Sequence, residues 1–184
     1  VRIIAGAFRG RRLVAPAGTA TRPTAERMRQ AVFDMLWHAP WAGRARLTGA
    51  RVLDGFAGTG ALGLEALSRG AGTVDFIEQD RAALTALRAN IAACRADEAC
   101  RVWPADALRP PRATAACDLV FLDPPYGEGR VAAALAALAG AGWLAPDALV
   151  VAESGAPPEA LPPGFALLAE RRHGAAHVAV LTPA

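Results

Sequence analysis

An α/β fold, with an open and mostly parallel sheet covered by helices on both faces, is predicted by three features of the sequence. From Arg51 onward, strand-like runs alternate with Ala- and Leu-rich helical segments, the order in which βαβ units are laid down. A glycine-rich turn joins the first of these strands to the first helix, at the edge where such sheets bind ligands. The last two apolar stretches flank His173-Gly174 with no helical segment between them, so the sheet is expected to end in an antiparallel hairpin.

At the N-terminus, Ile3-Ile4 and Leu13-Val14 are interleaved with Gly6, Gly10 and Gly18, the pattern of a small hairpin or loop-rich appendage. Pro23-Thr24 opens a helix in which Met28, Ala31, Val32 and Met35 recur at i, i+3, i+4 and i+7, ending near His38. Its apolar stripe is expected to dock on the body, leaving Arg27 and Arg29 away from the stripe's centre and open to solvent or phosphate. Pro40 to Gly49 reads as a connector. Strands are expected near Arg51–Leu53, Thr73–Ile77, Cys100–Trp103, Asp118–Leu122 and Ala148–Glu153, with helices over Ala61–Arg69, Arg81–Ala93 and Arg130–Ala139. Phe165–Ala169 and His177–Leu181 supply the terminal hairpin. The 184 residues thus divide into a basic appendage over residues 1–45 and a ligand-binding domain over 46–184, with enough chain to bury a substantial core.

Charge follows the same division. Residues 1–51 carry ten Arg against Glu26 and Asp34, a balance of +8, whereas the remainder is at −5. A basic arm on a mildly acidic body suits a polyanionic partner, because Arg offers phosphate both charge and a fixed donor fork. A solvated basic face is the alternative. All twenty basic residues are Arg, which in an Ala- and Arg-rich chain is also what base composition alone produces. Cys94, Cys100 and Cys117 are odd in number and lack C-x-x-C pairing, so they read as reduced structural thiols. No metal is required, no apolar run approaches the length of a membrane span, and a cytoplasmic location is expected.

The cofactor site is expected on Asp54-Gly55-Phe56-Ala57-Gly58-Thr59-Gly60, a strand-turn-helix junction. Gly58, Gly60 and Gly63 satisfy the dinucleotide fingerprint, but that pattern alone is weakly specific. Asp54 at the strand end would repel a pyrophosphate and suits a cationic methionine amino group, reached directly or through water; this favours S-adenosylmethionine. Glu78, followed by Gln79, comes directly after the Thr73–Ile77 strand, where an acid can receive both ribose hydroxyls. Asp106 lies beyond the third strand and can accept from an adenine amino group, with Ala107 offering backbone contacts.

The catalytic loop is expected at Asp123-Pro124-Pro125-Tyr126, directly after a buried-strand pattern. Successive prolines fix φ and lack N–H donors, giving a rigid loop with carbonyls free to accept. An exocyclic amine on a base is a poor nucleophile because its lone pair is delocalised into the ring. The Asp123 carboxylate and the Pro124 carbonyl could bind its two hydrogens and favour a pyramidal nitrogen, while Tyr126 offers a face for stacking.

With these residues in view, the sequence resembles class I amino-methyltransferases and, more closely, bacterial 16S rRNA guanine-N2 methyltransferases of the RsmD type. The specific part of the likeness is Arg2-Ile3-Ile4-Ala5-Gly6 with Arg9-Gly10-Arg11, and Arg22-Pro23-Thr24 with Glu26-Arg27 and Arg29. Glu26 stands where the family commonly shows Asp. The resemblance implies a Rossmann-like seven-stranded fold and methylation of one guanine 2-amino group in 16S rRNA, within the small ribosomal subunit or its assembly intermediate. It also makes Arg9, Arg11, Arg12, Arg22, Arg27 and Arg29 candidate RNA contacts. The competing readings are an amino-methyltransferase acting on adenine or cytosine, a nicotinamide-dependent oxidoreductase, and an RNA-binding assembly protein with a vestigial pocket.

Overall fold

A computed structural model of the chain describes residues 1–16, 23–125, 129–155, 162–173 and 176–184. Seven strands form one sheet: β1 (Arg51–Asp54), β2 (Thr73–Glu78), β3 (Cys100–Pro104), β4 (Cys117–Leu122), β5 (Leu144–Ser154), β6 (Phe165–His173) and β7 (Ala176–Pro183). Their spatial order is β3-β2-β1-β4-β5-β7-β6. The first five are mutually parallel, whereas β7 runs antiparallel to β5 and β6 antiparallel to β7. The order reverses direction between β1 and β4, the crevice where open parallel sheets take ligands beyond their carboxyl ends.

Successive strand residues face opposite sides, and both sides are covered. Val52, Leu119, Phe121, Leu149 and Val151 point into one apolar cluster; Leu53, Val120, Leu122, Val150 and Ala152 point into the other. Helices α1 (Pro23–His38), α3 (Ala61–Ser68) and α4 (Arg81–Ala93) contribute to the first cluster through Val32, Phe33, Leu36, Leu64, Leu87 and Ile91. Helix α5 (Arg130–Gly140) contributes Ala134, Leu135 and Leu138 to the second. The bounds of α4 coincide with those expected because Asp80 caps it, its side chain accepting from the Ala83 N–H at 2.8 Å.

The connector after α1 holds a short helix, α2 (Arg44–Leu47), because Leu47 is buried against the sheet. Strand β5 begins four residues earlier than expected, at Leu144, and its irregular pairing with β4 between Cys117 and Leu119 absorbs the extra length. His173, read as a turn residue, is instead the end of β6 and pairs with Ala176, since the two strands continue their ladder past the apolar cores that the sequence marks. The three cysteines are unpaired, and burial pushes the Cys100 and Cys117 thiols up to about 12. No described helix is long and apolar enough to cross a membrane.

Residues 1–13 form a small hairpin, with Arg2 bridging Arg12 and the Ile3 N–H donating to the Arg11 carbonyl at 2.9 Å. It is bound closely to α3. The Ile4 and Ala5 N–H groups donate to the two Glu65 carboxylate oxygens at 2.8 and 3.0 Å, and Phe8 N–H donates to Ser68 Oγ at 2.9 Å. Ile3 and Leu13 enter the same apolar cluster as α1 and β1.

Candidate active site

The junction between β1 and α3 brings the cofactor-loop residues into a tight turn. Asp54 is 1% exposed, and its Oδ2 accepts from the Gly63 N–H at 3.0 Å, tying the strand end to the first turn of α3. Its carboxylate is therefore turned into the loop, and charge and loop geometry, not direct contact, are what it offers a ligand in this conformation. Burial pushes its pKa up to about 7; the Gly63 hydrogen bond opposes that rise, and the neighbouring Asp123 and Glu78 charges reinforce it.

Glu78 closes the same loop from the end of β2. Its Oε2 accepts from the Gly58 N–H at 2.7 Å, while Oε1 accepts from the Gln79 and Asp80 N–H groups at 2.8 and 2.7 Å. Three donors orient the carboxylate and leave lone-pair capacity for a ligand hydroxyl. Asp106 is engaged more lightly, accepting from Leu108 N–H at 2.9 Å with Arg109 at 3.5 Å, and Ala107 is buried beside it.

Gly60 caps α3 in the left-handed conformation at φ +80°, and a Cβ there would lie 2.4 Å from Leu87 Cδ1. A Gly60→Ala variant is expected to lose about 2–4 kcal/mol, from the positive φ and from the clash with fully buried Leu87. Thermal melting checks the loss, and calorimetry with S-adenosylmethionine should show weakened binding; unchanged affinity would remove this turn from the cofactor site.

At the carboxyl edge, Asp123 directly follows β4. The register pairs Leu122 of β4 with Ala152 of β5, so Asp123 and Glu153 succeed them side by side on parallel strands. The two carboxyl groups are close enough to shift each other's ionisation. Both line a cavity of about 20 Å³ with Met28, Arg29 and Val32 of α1 and Phe121 of β4, room for about one water. Pro124 and Pro125 continue the loop; Tyr126 lies outside the described residues.

Asp54, Glu78 and Asp123 thus share one electrostatic neighbourhood, and the charged groups acting on buried Asp54 are acids. A cationic ligand fits this donor set and a pyrophosphate does not. S-adenosylmethionine, with a sulfonium and an ammonium against one carboxylate, meets that test.

Against known proteins, the family model described as Conserved hypothetical protein 95 matches residues 1–182. The chain belongs to that family. This is the RsmD-type kinship to which the N-terminal and loop motifs point. The chain is 41% identical over 155 residues to Ribosomal RNA small subunit methyltransferase D of Escherichia coli K12, covering 84% of this chain and 74% of that protein. It is 36% identical over 179 residues to the protein of the same description from Haemophilus influenzae, covering 95% and 89%. A solved structure described as "Putative methyltransferase yhhF from Escherichia coli" superimposes with a TM-score of 0.84 at 34% identity, covering 100% of this chain and 97% of the other.

In this member of the Conserved hypothetical protein 95 family, the candidate RNA contacts separate into distinct environments. Arg9, Arg12 and Arg27 are exposed. Arg11 is also exposed, but its guanidinium donates to the Ala93 carbonyl at the end of α4. Arg29 corrects the expectation of an open side chain: it is 4% exposed, lies 3.5 Å from Glu65, and donates to the Arg2 carbonyl at 2.5 Å. The buried Glu65 carboxylate draws it inward, so it is a structural ion-pair member. Arg22 lies outside the described residues.

Three polar residues at the site or its supports were not singled out from the sequence. Asn90, fully buried on α4, donates to the Thr59 and Val14 carbonyls at 2.9 Å and accepts from Val14 N–H at 2.7 Å. It links the candidate cofactor loop to the chain leaving the hairpin. Its signal was a polar residue on the apolar face that carries Leu87 and Ile91. Glu65 and Glu153 left weaker traces, an acid within an Ala/Leu-rich helix and an acid closing an apolar strand.

Proposed function

We propose that this protein transfers a methyl group from S-adenosylmethionine to the exocyclic 2-amino group of a guanine in 16S rRNA, presented by the small ribosomal subunit or its assembly intermediate. The observation that carries the reading is the acidic site of Asp54, Glu78 and Asp123 beside a glycine turn, with Asp123-Pro124-Pro125 at the sheet's switch point. The names and similarity of the ribosomal RNA methyltransferase relatives support the substrate class.

Gly55 to Gly60 would hold the amino-acid portion of the donor, Glu78 and Gln79 the ribose, and Asp106 with Ala107 the adenine. When bound, S-adenosylmethionine supplies an electrophilic methyl group. The Asp123 carboxylate and the Pro124 carbonyl accept the two amine hydrogens and orient the nitrogen, and Asp123 takes the proton released as the amine is methylated. Tyr126 is the candidate stacking face. Orientation of two reactants in one crevice supplies much of the rate.

Residues 1–45 are the RNA-facing part in this reading, and residues 46–184 the transferase part. Replacing exposed Arg9, Arg12 and Arg27 together with Gln should flatten the salt dependence of RNA binding, by roughly 0.7–0.9 in log–log slope for each phosphate no longer neutralised. Filter binding over a salt series measures it, and an unchanged slope removes these residues from the interface.

The test of the whole reading is transfer of labelled methyl from S-adenosylmethionine to small subunits lacking the modification, followed by nucleoside mapping. Label on guanine N2 is expected. Label on adenine or cytosine overturns the guanine assignment, and absence of transfer with retained donor binding overturns the substrate class.

A further inference from the structure

We propose that Glu153 is a positioning residue for the catalytic loop: its carboxyl group donates a hydrogen bond to Asp123, so that the two acids hold one proton between them and Asp123 stays ionised towards the substrate amine. This rests on the function proposed above for Asp123.

The geometry comes from the sheet. Parallel pairing of Leu122 with Ala152 sets residues 123 and 153 side by side at the carboxyl ends of β4 and β5. Two carboxylates set side by side around one cavity repel each other, and a proton donated by one carboxyl group to the other removes that repulsion. Asp123 reaches solvent, but among the described residues no cation forms an ion pair with either acid. Across from Glu153 on β7 stands Val178, and Val151 and Val178 make apolar walls of the shared cavity. From α1 the cavity receives Arg29, but that guanidinium is paired with Glu65 at 3.5 Å. On the β1 side, Asp54 adds a further acid near Asp123.

The direction of ionisation agrees. Loss of surrounding water raises both groups, Asp123 to about 6 although it lies at the exposed edge of the sheet and half-buried Glu153 to about 8, with the Asp123 charge adding to the rise at Glu153. Each acid shifts the other, Glu153 drawing Asp123 down and Asp123 pushing Glu153 up, the order in which a protonated Glu153 would donate to an ionised Asp123. These values belong to the pair and not to isolated residues. At neutral pH the pair carries one proton and one negative charge.

This arrangement has a consequence for turnover. One Asp123 oxygen is fixed by Glu153, which aims the other at the amine. As the nitrogen–carbon bond forms and the carbon–sulfur bond breaks, with its electron pair leaving on sulfur, the proton lost by nitrogen arrives on Asp123. The pair then holds two protons, and one must pass to water before the next cycle. Above the ionisation of Glu153 the donor is lost, the pair bears two charges, and Asp123 loses its anchor.

The test compares Glu153→Ala and Glu153→Gln with wild type, using folded protein verified by circular dichroism. Glu153→Ala should lower kcat about tenfold at neutral pH, the rate equivalent of one hydrogen bond, with the KM for S-adenosylmethionine little changed. Glu153→Gln, which still donates but cannot ionise, should recover part of that loss. In wild type kcat should rise through about pH 6 and fall through about pH 8, whereas Glu153→Gln should keep the rise and lose the fall. An alkaline fall that persists in Glu153→Gln, or full activity in Glu153→Ala, overturns the proposal. Carboxyl ¹³C NMR titration reads the pair without catalysis: two coupled ionisations in wild type and one in Glu153→Gln are expected. Two independent titrations near ordinary carboxylate values overturn the pairing while leaving methyl transfer untouched. Failure of wild-type transfer instead defeats the function proposed for Asp123, and the NMR titration still decides the pairing.

Discussion

Asp123→Ala should lose roughly a hundred- to ten-thousand-fold in kcat while keeping its affinity for S-adenosylmethionine within a few-fold, the range for removing a positioned general base. The two effects separate because, in the proposed function, Asp123 would face the reacting amine, whereas the turn from Gly55 to Gly60 and Glu78 would hold the donor. Loss of the Asp123 charge also removes one of the neighbours that raise Asp54, so Asp54 ionises more readily and offsets the lost attraction for a cation. The Pro124 carbonyl would still accept one amine hydrogen in that mechanism, which sets a floor under the residual rate. Single-turnover kinetics measure the chemical step and calorimetry measures donor affinity. Near wild-type turnover would remove Asp123 from the chemistry; equal losses in turnover and donor affinity would make it a binding residue.

Local pattern made the sheet and its two loops legible, because each element declares itself within a few residues. The alternation of Val52 and Leu53, or of Phe121 and Leu122, between opposite faces is a period-two signal, and the strand-turn-helix at Asp54 to Gly63 is contiguous. Helix α4 was legible to its ends because its cap, Asp80, adjoins it. Residues whose role is set by distant chain were not legible. Arg29 looked like an exposed cation on a helix flank, and only a carboxylate 36 positions later, Glu65, draws it inward. Glu153 meets Asp123 only because β4 and β5 pair in parallel, with Leu122 against Ala152. Asn90 gains its role from Thr59 and Val14, 31 and 76 residues away. Sequence periodicity reports which side of an element is buried, but not which polar groups meet there.

Glu65 carries the second large expected effect, and it concerns how the basic hairpin is held. Its carboxylate is fully buried and accepts from Ile4 N–H, Ala5 N–H and Arg69 Nε, with Arg29 Nε at 3.5 Å. Glu65→Ala strips the partner from two buried cations and two backbone donors at once. Breaking a buried ion pair from one side costs about 3–5 kcal/mol, because the remaining charge is left without compensation. For a chain of 184 residues that corresponds to a fall in melting temperature of roughly 6–20 °C. Arg29 already lacks a hydrogen-bond partner at Nε, so the loss cannot be absorbed by a neighbour already bound there. The hairpin is the segment released first, since Ile4 and Ala5 lose their acceptor while Phe8 keeps Ser68. Hydrogen exchange should therefore show lost protection at Ile4 and Ala5 before the sheet opens, and RNA binding should weaken more than donor binding. Retained protection at those two amides, with an unchanged melting temperature, would show that apolar burial of Ile3 and Leu13 holds the hairpin without Glu65.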